Sequence, residues 1–147
     1  MSLKDQLNDA MKQAMKARDD LRLSAVRMVR STVKNREIDL KHELDDQGVV
    51  EVISTLVKQR RESIRLYQDG NRQDLVEKEG AEMAILLQFL PAQLSPDEIT
   101  DLVSRTIQET GAQGIKDMGK VMKILTALTT GRADGKIVSD IVRQQLA

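Results

Sequence analysis

Apolar residues recur every three or four positions from one end of the chain to the other, and no segment shows sustained alternation, so the pattern predicts helices throughout. A first helix begins near Leu3, with Leu7, Ala10, Met11 and Ala14 on one stripe. Asp19-Asp20 opens a second, carrying Leu23, Val26, Val29 and Val33. It is predicted to reach about Glu43, a length of roughly 36 Å at about 1.5 Å per residue. LDDQG at 44–48 is a break, and a third helix follows with Val49, Ile53, Leu56, Val57, Ile64 and Tyr67. DGN at 69–71 ends it, with Gly70 suited to the left-handed position after a helix. A fourth runs from about Gln73 to Leu90, where FLP at 89–91 stops it, because proline disfavours helical geometry in the residue before it.

SPDEI at 95–99 is the clearest start signal: Ser95 at the N-cap, Pro96 at the first helical position, Glu98 closing a capping box. That helix carries Ile99, Leu102, Val103 and Ile107 and ends at Gly111. After the GAQG loop, Asp117 is placed to cap a sixth helix whose apolar face is Met118, Val121, Met122, Leu125 and Leu128. Gly131 ends it, and a last helix carries Ile137, Val138, Ile141, Val142 and Leu146. The predicted fold is all-α: a helical N-terminal domain of about four helices, residues 1–92, and a small three-helix C-terminal domain, residues 93–147. A three-helix unit of about 55 residues folds alone only marginally.

Composition narrows the chemistry. Tyr67 and Phe89 are the only aromatics, so the core must be aliphatic and methionine-rich. The absence of cysteine excludes disulfides, thiolate chemistry and cysteine-based metal sites. MSLKDQLNDAMKQ lacks the apolar run of a secretory signal, and no window approaches the roughly 18 apolar residues of a membrane span. A cytoplasmic protein with no membrane association is therefore expected. Net charge is zero, from 23 basic and 23 acidic residues, yet residues 1–43 carry 10 Lys/Arg against 7 Asp/Glu and residues 111–147 carry 6 against 3.

GRADGK at 131–136 superficially suggests a phosphate loop, but it lacks the P-loop spacing, Ile137 stands where Ser or Thr should be, and no strand precedes it. Gly131 closing one helix and Asp134 capping the next explains it better. A helix N-terminus flanked by Arg132 and Lys136 also suits a nucleic-acid phosphate. Lys116, Lys120 and Lys123 project within about 60° of one another opposite the apolar stripe, and Lys136 and Arg143 share a face of the last helix. Any one of these lysines is adequately explained as a solvated side chain. Together with Arg132 they form the candidate nucleic-acid-binding set. Weaker stripes, Arg27, Arg30, Lys34 and Lys41 on the second helix and Lys58, Arg61 and Arg65 on the third, border the apolar faces. There their stems can simply cover the core edge.

Catalytic material is scarce. His42 is the single histidine, HEL at 42–44 is not H-E-x-x-H, and DDQG at 45–48 lacks EF-hand spacing. No catalytic residues, metal site or cofactor are assigned.

DMGKVM at 117–122, GRADGK at 131–136 and the Arg-x-x-Leu at 143–146 resemble the YqeY family of small bacterial proteins, as do LRLSAVRMVRSTVKNREID at 21–39 and FLPAQLSPDEI at 89–99. The resemblance covers essentially the whole chain. The C-terminal half also resembles the tail domain of GatB, a subunit of the tRNA-dependent amidotransferase that uses glutamine as nitrogen donor, through Gly119–Lys123 and Gly131–Ala133. Lys123, often glycine in the family, departs toward the GatB pattern. The resemblance implies tRNA or another structured RNA as partner and carries over no active site. The expected function is thus a non-catalytic, cytoplasmic RNA-binding accessory of tRNA aminoacylation or amidation. The rivals are an adaptor for a synthetase or amidotransferase subunit, and carbon–nitrogen ligase activity within a complex.

Overall fold

The computed structural model describes residues 1–147 as seven α-helices and one short 3-10 turn, with no strand. The helices are α1 (Leu3–Ala17), α2 (Asp20–Leu40), α3 (Asp46–Asp69), α4 (Gln73–Leu87), α5 (Pro96–Thr110), α6 (Met118–Thr129) and α7 (Gly135–Leu146); the 3-10 turn is Ile115–Asp117. Contacts divide the chain into two compact units, Met1–Pro91 and Ala92–Ala147.

In the first unit α1 packs on α2 and α3 on α4, with α2 also touching both α3 and α4. Leu7, Val26, Val29, Val49, Ile53 and Leu86 are fully enclosed at its centre, and Met11, Met83 and Phe89 close the rim. α1 is held at its start by a capping box between Ser2 and Asp5. α2 ends at Leu40, short of Glu43, because Lys41 turns into the left-handed region at φ 60°. It is therefore about 31 Å long rather than 36 Å. The expected break at 44–48 is narrower than predicted: Asp45 accepts the Gly48 N–H at 2.9 Å and caps α3, which starts at Asp46. At the other end of α3 the left-handed residue is Asn71, at φ 57°, and Gly70 stays at φ −85°. Asparagine adopts that conformation with little strain. α4 ends at Leu87 rather than Leu90, four residues before the proline that was expected to stop it.

In the second unit α5, α6 and α7 all touch one another around Ile99, Val103, Val121, Leu125, Val138 and Val142. Ser95 and Glu98 form the predicted capping box, with Pro96 in the first turn and Gly111 left-handed at φ 68°. Gly131 is left-handed at φ 78°, and Asp134 accepts the Lys136 N–H at 3.0 Å to start α7. Asp117 does not cap α6. Its carboxylate instead accepts the Gln113 N–H at 2.9 Å, closing the 3-10 turn that precedes the helix. Leu128, expected on the apolar face, is 48% exposed, and Thr129 is buried in its place. The Thr129 hydroxyl is satisfied by donating back to the Leu125 carbonyl at 2.8 Å.

Candidate functional site

The six predicted basic residues divide by position. The Lys120 ammonium donates to the Thr110 carbonyl at 3.1 Å, at the C-terminal end of α5, where a cation complements the helix dipole. Lys116, in the 3-10 turn just before α6, lies near that end. Arg132 sits at the opposite end of α5: its carbonyl accepts the Leu94 N–H at 2.8 Å. There the Ser95 N–H and hydroxyl hold the Glu98 carboxyl below the usual carboxylate range, with a smaller pull from Arg132. α5 is 15 residues long, so the two ends are about 20 Å apart. Lys136 follows Arg132 into the first turn of α7. Arg143 pairs with Asp140 at 3.3 Å, and Lys123 is exposed on α6 between the ends. The geometry thus brings together Lys116 with Lys120, and Arg132 with Lys136, but not all six.

The outer face of α6 carries more than charge. Lys120, Ile124 and Leu128 recur at four-residue spacing and form a stripe about 12 Å long. Ile124 is 40% exposed, beside exposed Lys123 and Ala127, and α6 contains no acidic residue. Ile115 and Ile137 in the same unit are also exposed. The helical period identified Leu128 as core. In a three-helix unit only about a third of each helix faces inward, so a residue 60° off the Val121–Leu125–Thr129 line remains in solvent.

His42 is exposed, with Nδ1 2.9 Å from the Glu43 carbonyl oxygen. No group of three or more His, Asp or Glu is placed to hold a metal ion. No helix is long and apolar enough to cross a membrane. Lys41, predicted on the α2 stripe, lies beyond the helix end, while Arg61 and Arg65 are half-buried on α3.

Glu37, near the end of α2, accepts the Lys4 ammonium and the Leu44 N–H. The Lys4 bond first, then the Leu44 bond, lower its pKa from the ordinary 4.5, and His42 adds to this at longer range. A lowered carboxylate pKa contributes stability that is fully present above the unfolded-state value and is lost as pH falls through the folded-state value. Glu37→Gln removes that contribution, so it is expected to lower the melting temperature at neutral pH and to flatten its decline from there to below about pH 4.5, the two proteins converging in acid. Parallel melts of both proteins across that range check it.

Residues 4–146 match the family model described as Yqey-like protein. A mitochondrial protein of Lachancea thermotolerans, named Altered inheritance of mitochondria protein 41, is 32% identical over 94% of this chain and 78% of its own length. Proteins of the same name from Vanderwaltozyma polyspora and Kluyveromyces lactis are 37% and 42% identical, over 70% and 58% of this chain. The matched part spans 57% and 47% of those two proteins, about half their length. These relatives correct the functional expectation. They are mitochondrial proteins of yeasts, named for the inheritance of mitochondria, which overturns the expected bacterial, cytoplasmic accessory of tRNA aminoacylation.

Proposed function

The chain belongs to the YqeY family, and from that premise we propose that it is a protein-binding helical module serving the process for which its relatives are named, the inheritance of mitochondria. The partner would meet the outer face of α6 with an acidic rim around an apolar patch. The observation that carries this is the stripe of Lys120, Ile124 and Leu128 on a helix without a single acid. Exposed aliphatic side chains gain nothing from a phosphate backbone, whereas a protein surface removes them from water at about 25 cal/mol per Å². Lysines around such a patch set orientation and encounter rate more than affinity.

The test is functional replacement in a yeast lacking its own relative, with this chain fused to a mitochondrial targeting segment. The native sequence is expected to restore normal transmission of mitochondria to daughter cells, and Ile124→Glu/Leu128→Glu to fail. Both positions are exposed, so the purified variant should melt within a few degrees of the parent. A variant that replaces the relative as well as the parent does would remove α6 as the docking face.

A further inference from the structure

The first unit holds an open groove of about 550 Å³ between α1 and α2, in the size range of small-molecule sites. Its floor is Leu7 and Val33, both buried. Its walls carry four cations, Lys4, Arg27, Arg30 and Lys34, and one acid, Glu37. Lys4 and the Leu44 N–H already hold Glu37, so its charge is spent within the protein.

The other three cations remain uncompensated. Arg27 and Lys34 have no carboxylate within ion-pair distance. Arg30 donates to the thioether sulfur of Met11 at 2.8 Å, a strong charged donor on a weak acceptor. Arg27, Arg30 and Lys34 follow one another at three- and four-residue steps, so their side chains leave the same side of α2 within about 10 Å. Asn8 and Ser31 add neutral hydrogen-bonding groups to the wall.

We propose that this groove binds a phosphate-bearing small molecule with an organic body, of the size of a nucleoside diphosphate. Two guanidinium forks and an ammonium match phosphate oxygens, since arginine binds them bidentately and lysine as a point charge. The Leu7–Val33 floor gives the organic portion an apolar surface. On binding, the Arg30 guanidinium exchanges the Met11 sulfur for a phosphate oxygen, a stronger acceptor. This site is in the N-terminal unit and is independent of the α6 docking face.

The experiment is an NMR titration of the full chain at physiological salt with three probes: inorganic pyrophosphate, adenosine 5′-diphosphate and a single-stranded RNA oligonucleotide. Arg27→Gln/Lys34→Gln removes two groove charges. Lys12→Gln/Lys16→Gln removes two exposed charges of α1 that do not line it. Saturable shifts of the arginine side-chain N–H signals are expected with both phosphates, tighter for the diphosphate with an organic body. The groove variant should weaken binding about tenfold or more, and the control variant less than about twofold. The proposal is overturned by an absence of saturable shifts, by equal weakening in both variants, or by binding of the RNA with no binding of the small phosphates.

Discussion

Leu125→Ala is expected to unfold the C-terminal unit and leave the N-terminal unit folded. Leu125 is fully enclosed among Ile99, Val103, Val121, Val138 and Val142. Truncating such a leucine costs about 3 to 5 kcal/mol, from lost transfer energy plus the cavity left behind. The unit comprises only Ala92–Ala147. At about 0.05–0.15 kcal/mol per residue its whole stability is of the order of 3 to 8 kcal/mol. The loss is thus comparable to the total. Amide hydrogen exchange reads the outcome: α5, α6 and α7 should lose protection while α1 to α4 keep theirs. Uniform loss across all seven helices would mean that the two units fold as one cooperative structure, contrary to the division of contacts.

The second large effect is expected at Arg60. On α3, its Nε lies 3.2 Å from Glu79 Oε2 and 3.0 Å from Glu82 Oε2 of α4, with all three side chains only 16–18% exposed. The contacts are ionic, since Arg60 Nε and Glu79 Oε2 make no aligned hydrogen bond. A further guanidinium nitrogen reaches the Met28 sulfur of α2 at 3.1 Å. Arg60→Met keeps the stem but leaves two neighbouring carboxylates facing α3 without a counter-charge. Removing one partner of a buried ion pair costs about 3 to 5 kcal/mol, and residual exposure moves the expectation to about 2 to 3 kcal/mol. Adding Glu79→Gln and Glu82→Gln should recover most of the loss, because the penalty lies in the stranded charges. Denaturant unfolding of the single and triple variants decides it. A single-variant loss under about 1 kcal/mol would class the cluster with ordinary surface ion pairs.

Much of the fold was legible because it rests on interactions a few residues apart. The capping box of Ser95 and Glu98, the left-handed Gly111 and Gly131, and the Asp134 cap all lie within one turn of the groups they serve. Helical periodicity likewise placed Leu7, Val26, Ile53, Val103 and Leu125 in the cores. The misses are also local in origin. Lys41 and Asn71 take left-handed conformations that the sequence rule assigns first to glycine, and Asp117 turns to the Gln113 N–H in preference to α6.

By itself, then, the sequence determined an all-helical chain, most of its helix ends, and membership of its family. Only the tertiary structure decided which surfaces are available for binding. Leu128 reads as core by helix periodicity until the width of a three-helix unit leaves it in solvent, beside exposed Ile124. Lys4 and Asn8 of α1 join Arg27, Arg30 and Lys34 of α2 in one groove only because the two helices pack side by side in a particular register. Arg60 meets Glu79 and Glu82 for the same reason, across the α3–α4 contact. Periodicity records which face of a helix is apolar. It carries no information on which polar side chains of another helix will stand opposite, because that depends on how two surfaces pack.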